Sequence, residues 1–181
     1  MNIVTRLLIV TLLTLTCTAL TPAPAAAEQS IAIVNVQKIM RESRAANSMR
    51  EQMKQKQKQY QDELDKAGQS LQKQDQELAK QRAILSKEAF EKQQNDLRQN
   101  LAKAQQEAKQ KEAQLNKAFS EALTQIQEKV TEIVAEIAKE KNFQLAIPKA
   151  QALYAADGLE ITDDVLKRLD QKLPELRVNF N

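Results

Sequence analysis

The chain has no histidine and no tryptophan, a single cysteine, two glycines and four prolines, and only 3% of its 181 residues are aromatic. Each shortage removes a class of chemistry. Without histidine and with one thiol, the side chains of the commonest zinc sites are missing, as is the usual base that activates a serine or cysteine nucleophile. Two glycines, Gly68 and Gly158, are too few for a glycine-rich loop that cradles phosphate. Scarce aromatics leave few platforms for base stacking, and a formal charge of +3 is far from the basic excess of a dedicated nucleic-acid binder. Carboxylates are plentiful but fall on periodic polar faces, where solvated ion pairs are ordinary. The expectation is a protein that is not an enzyme, with no cofactor, no metal and no nucleic-acid partner. No catalytic residue is nominated.

What the chain has in abundance is helix. From Gln37 to Lys141 there is no proline and only Gly68 among the glycines, while Gln, Lys, Glu, Ala and Leu dominate, all good helix formers. Leu64, Leu71, Leu78 and Leu85 recur at seven-residue steps, with Tyr60 and Ala67 in the column four residues ahead. That is a coiled-coil seam. Beyond Ser86 a second seam follows, with Phe90, Leu97 and Ala104 in one column and Leu101, Ala108, Leu115 and Ala122 in the other. Two matched helices predict an antiparallel hairpin with its tip near residues 84–88, in which facing residues sum to about 171 and Ser86 caps the second helix. Gln57, Gln74 and Gln81 dilute the seam, so the arm is mostly wet. Gly68 is the candidate arm hinge, since glycine within a helix costs about 1 kcal/mol relative to alanine. From Phe119 the stripe thickens through Leu123, Ile126, Val130, Ile133 and Ile137, which predicts that the helix enters a core.

The ends read differently. Arg6, the apolar run Leu7 to Leu15, and Ala25-Ala26-Ala27 behind Pro22 and Pro24 form the pattern of a cleavable export signal over residues 1–27. The run is shorter than the roughly 20 residues a membrane-spanning helix requires. Cys17 leaves with it, so the mature chain is a cysteine-free envelope protein. Ile31 to Val36 reads as a strand buried on both faces, followed by Asn35 as a helix N-cap and by Met40, Met49 and Met53 near the base of the arm. Phe143 to Ile147 reads as a second strand, Pro148-Lys149-Ala150 as a turn, and Ala152 to Ala155 as a third strand. Thr162 is the expected cap of a helix over Asp163 to Lys172, and residues 174–181 the expected loose tail. Val178-Asn179-Phe180 alone does not suggest a membrane barrel, which needs many alternating strands.

These readings combine into an α+β, predominantly helical class: a long antiparallel helical hairpin, the coiled-coil arm, on a small β-rich oligomerisation body. The body comprises residues 28–36 and 119–173, the arm residues 37–118. The expected oligomer and body core is Ile31, Ile33, Val34, Val36, Ile126, Val130, Ile133, Ile137, Leu145, Ile147 and Leu153. Three short strands have unpaired edges, which favours self-association.

Ile31-Ala32-Ile33-Val34-Asn35, Phe143 to Tyr154, and Ile161-Thr162-Asp163-Asp164-Val165-Leu166-Lys167 together resemble the Skp/OmpH family of periplasmic chaperones, over the whole mature chain and in order. The resemblance implies a homotrimer whose helical arms surround a cavity and hold unfolded outer-membrane protein precursors without ATP. Met40, Met49 and Met53 would then offer an adaptable apolar lining for clients. Lys80, Arg82, Lys87 and Lys92 at the tip would make weak contact with an anionic membrane surface or lipopolysaccharide. This chain is less basic than the family pattern. A second reading is a structural periplasmic coiled-coil spacer or adaptor that docks one defined envelope partner.

Overall fold

The computed structural model describes residues 30–181. In chain order these form β1 (Ser30–Val34), α1 (Val36–Glu42), α2 (Arg44–Gln81), α3 (Lys87–Lys141), β2 (Phe143–Pro148) and α4 (Thr162–Lys172), with 3-10 turns at Lys149–Gln151 and Asp157–Leu159. The expected signal segment and Cys17 lie outside the described residues. Among the described residues no helix is long and apolar enough to cross a membrane.

At 1.5 Å per residue α2 spans about 57 Å and α3 about 82 Å. They form the expected hairpin. Ser86 caps α3, its hydroxyl accepting from the Ala89 amide at 3.2 Å. Tyr60 and Leu78 are buried in the seam, while Leu64, Ala67, Leu71 and Leu85 are half-buried. Leu101 departs from the pattern and is 49% exposed; beside it a hydrogen bond donated by the Asn100 carboxamide nitrogen to the Gln74 carboxamide oxygen crosses between the helices. The pairs that meet across the arm, Tyr60 with Gln114, Glu63 with Lys111 and Gln74 with Asn100, each sum to 174, three more than expected. Side chains lean toward the N-terminus of their own helix. In an antiparallel pair both partners of a contact therefore lie C-terminal to it, which raises the sum above that set by the turn.

The base differs from expectation in five places. Val36 belongs to α1 and not to β1, because Asn35 ends the strand and caps the helix by accepting from the Lys38 amide at 2.9 Å. The helix expected to run on from Gln37 breaks at Ser43, which is extended (φ −63°, ψ 144°) and caps α2 through the Ala46 amide. The next free amide, Arg44, is satisfied from a distance by the Asp170 carboxylate at 2.8 Å. The third strand does not form: a 3-10 turn follows Pro148, Leu153 and Tyr154 are exposed, and β1 meets that region only at one parallel bridge, Ile33 to Glu160. Thr162 is no cap. Its hydroxyl accepts from the Asn35 amide at 2.8 Å and donates to Glu160, tying α4 to the start of α1. Finally, the tail is docked, with Leu176 only 2% exposed.

The sheet is a parallel pair, Ile31 opposite Leu145 and Ile33 opposite Ile147. A parallel pair needs a long crossover, and here the crossover is the whole arm. Asn142, with φ 55° and ψ 37°, turns the chain from α3 into β2, the left-handed ending that asparagine tolerates. The core lies beneath, where Ile39, Ile126, Ile133, Ile137, Val165 and Leu169 are fully buried.

Candidate binding surfaces

The residues singled out from the sequence fall into three groups. Ile33, Val34, Ile126, Ile133 and Ile137 are buried within the single chain, and Val130 and Ile147 are half-buried. Ile31, Val36, Leu145 and Leu153 are not core residues of the single chain: they are 38%, 37%, 53% and 108% exposed. With Tyr154 at 86%, Leu153 belongs to a short span after β2 whose apolar side chains meet water. Ile31 of β1 and Leu145 of β2 stand opposite each other and neither is covered by the rest of the described chain.

Met49 is buried and Met40 and Met53 are half-buried, so only the last two offer surface. Met40 lines a groove of about 320 Å³ at the base with Val36, Ile39, Ile126 and Val130. Met53 lines a second, of about 330 Å³, between the arm helices with Gln57, Leu115 and Phe119. Phe119 was expected to open the continuous core stripe, but it is 46% exposed and Ala118 and Ala122 are buried in its place. The alanines allow close approach of the helices, and the phenylalanine is left on the rim. Its spacing to Leu123 and Ile126 gave no warning, because a stripe of this width has a flank as well as a centre.

At the tip, Lys80, Arg82, Lys87 and Lys92 are all exposed. Lys80 pairs with Glu77 at 3.1 Å and Lys87 with Glu91 at 4.0 Å. Between them stands Ile84, 83% exposed, which the heptad pattern does not flag because it lies in the turn. Gly68 sits within unbroken α2, and a Cβ added there would meet nothing within 4 Å.

Charge is organised along two lines. Across the base, Arg168 forms a two-pronged pair with Glu140, Lys172 bonds Glu136 at 2.5 Å and lies 3.7 Å from Glu132, and Lys141 bonds Asp164 at 2.5 Å. The Arg168 bond holds the Glu140 carboxyl below its usual range, and Lys141 does the same for Asp164. Lys129 chiefly lowers Glu132, and the Glu136 bond raises Lys172. Within the arm, two ammonium groups approach the Tyr60 ring, Lys56 at 4.8 Å and Lys111 at 4.4 Å from its centroid, and its hydroxyl donates to Gln114 at 3.0 Å. Lys111 also pairs with Glu63 and lowers its pKa. Among the described residues no three His, Cys, Asp or Glu side chains gather as a metal site.

A helical hairpin of this length, raised on a small α+β body whose two parallel strands flank the hairpin in sequence, defines the class of protein: an arm-bearing scaffold with distributed surfaces. The family model described as "Outer membrane protein (OmpH-like)" matches residues 30–169, and the chain belongs to that family. A solved structure from Caulobacter crescentus CB15, described as an OmpH-like outer membrane chaperone, is similar at a TM-score of 0.78, covering 83% of this chain and 89% of that one. Sequence identity is 15%, so this likeness is one of fold. Comparison with curated proteins returns no match.

Proposed function

We propose that this protein is an ATP-independent periplasmic holdase that binds unfolded outer-membrane protein precursors between the arms of an oligomer and prevents their aggregation. The observation that carries the reading is an arm whose apolar groups are spread and wet: Ile84 in the tip turn and Leu101 and Phe119 on α3 are all exposed, on a hairpin far longer than its own packing requires. Many weak apolar contacts suit a partner without fixed structure, which is stabilised in its unfolded form by mass action. Family membership and the fold of the Caulobacter relative support the same role. Self-association is supported by Ile31 and Leu145 in the small sheet and by Leu153 and Tyr154 in the span after it, all apolar and wet, and by the sheet's open edges; the homotrimer is the form that the family resemblance implies. The exposed cations around Ile84 support a weak contact of the tip with anionic membrane or lipopolysaccharide.

The test is suppression of aggregation. Several urea-denatured outer-membrane barrels are diluted into buffer with the mature protein, and light scattering is followed. A holdase lowers scattering for all of them. Suppression of none would overturn the proposal in favour of an adaptor with one defined partner.

A further inference from the structure

The last residues lie on the base of the arm as a ligand would. After α4 the tail forms no helix or strand, and from Leu176 its burial alternates: Leu176, Val178 and Phe180 turn inward while Arg177, Asn179 and Asn181 are exposed. Its main chain is held by side chains of α2. The Gln52 amide donates to the Leu176 carbonyl at 2.5 Å and accepts from the Val178 amide at 3.0 Å, and the Ser48 hydroxyl donates to the same carbonyl at 3.2 Å. Phe180 lies beneath the Lys56 ammonium at 5.6 Å, and Lys117 of α3 donates to the Asn181 carbonyl at 3.3 Å. The dimensions agree with an extended segment. Ser48 to Lys56 rises about 12 Å along a helix, and Leu176 to Phe180 covers about 13 Å if extended.

A carboxamide that pairs with both a carbonyl and an amide imitates a rung of a β-ladder. It reads main chain and not sequence, while Leu176 enters the buried core cluster and Val178 packs against it. Recognition of an extended peptide by main-chain bonds plus every second side chain is an established mode. Alternating apolar residues are also the pattern of membrane-barrel strands. The tail lies beyond the residues matched by the family model, which end at 169.

We infer that the seat formed by Ser48, Gln52 and Lys56 is a binding site for extended segments of unfolded polypeptide with alternating apolar residues, and that the tail is its built-in competitor. The inference deepens the holding role proposed above. A short tether keeps the tail near the seat at an effective concentration of order millimolar. A single free segment binding there must displace it, whereas a long precursor offering many segments competes by avidity. The seat would therefore favour long unfolded chains over short peptides.

Two measurements test this. Fluorescein-labelled peptide of residues 174–181 is titrated by anisotropy into the full mature chain and into the same chain carrying Leu176→Asp and Val178→Asp, with circular dichroism melts to verify folding. The tail-released chain is expected to bind at least about tenfold more tightly, because its competitor at millimolar effective concentration is gone; adding Gln52→Ala is expected to abolish the gain. Equal affinity for both chains would overturn the inference. The second uses the unaltered protein and stands even if the variant fails to fold. Hydrogen exchange at the Val178 amide is compared with and without saturating unfolded barrel. Faster exchange is expected with client, and unchanged protection while aggregation is suppressed would overturn the seat but leave the holding role intact. No suppression of aggregation would instead overturn the holding role, and the peptide titration, which needs no client, would still decide the seat.

Discussion

Ser43 and Ser86 make the same bond in two different surroundings. Each caps a long helix and accepts from the amide three residues on, Ala46 at 3.3 Å and Ala89 at 3.2 Å. Ser43 is fully buried at the α1 to α2 break, whereas Ser86 is exposed at the arm tip. Replacing an N-cap serine by alanine costs about 1 kcal/mol on average, with water taking over the amide where it can reach. At Ser86 it can, and Ser86→Ala is expected to cost about 0.5–1 kcal/mol. At Ser43 no water enters, so the Ala46 amide loses its partner and its desolvation penalty of about 1–3 kcal/mol is exposed in full. Ser43→Ala is therefore expected to cost about 2–3 kcal/mol, which at about 2–4 °C per kcal/mol lowers the melting midpoint by roughly 4–12 °C. The assay is thermal unfolding by circular dichroism at one fixed protein concentration, because the midpoint of a self-associating chain, as proposed above, depends on concentration. Exchange at the Ala89 amide follows the local effect at the tip. Equal costs at the two serines would refute the reasoning, since burial is the feature that separates them.

Three other expectations follow from the same structure. Gly68→Ala adds a methyl group into open space and is expected to stabilise the arm by about 0.5–1 kcal/mol; spin-label distances across the arm that narrow in the variant would identify Gly68 as the bend, and unchanged distributions would remove that role. The pairs between α3 and α4 are pH-dependent in a defined sense. Glu140 and Asp164 are lowered, so their contribution is present above the ordinary carboxylate pKa and is lost as acid titrates the folded state, while the raised Lys172 contributes below the ordinary lysine pKa and is lost as alkali titrates it. The melting midpoint should fall at both extremes, less steeply in high salt because these groups are exposed and screened. Leu145→Asp combined with Leu153→Asp is expected to lower the native mass by light scattering while leaving helix content unchanged; an unchanged mass would remove those side chains from the proposed subunit contact.

Local chemistry made part of this molecule legible in advance. The hairpin follows from heptad spacing and the absence of helix breakers, and the caps at Asn35 and Ser86 follow from short polar side chains beside a few unpaired amides. The buried Ile126, Ile133 and Ile137 follow from helical periodicity. Family membership was legible from segments at both ends of the chain. The surfaces were much less so. Phe119 and Leu101 occupy good seam positions and are exposed, Leu153 and Tyr154 look like a strand and have no partner, and Gln52 looks like one more polar residue on a wet arm.

Interactions that close within a few residues, namely helix periodicity, turns and caps, are therefore readable from the chain alone. The long-range contacts are not. The tertiary fold placed Asp170 on the Arg44 amide, Thr162 on the Asn35 amide and the tail on Gln52, each joining residues more than a hundred positions apart. Those partners are chosen by where the long crossover returns the chain, a property of the whole hairpin's length and register and of no short stretch within it.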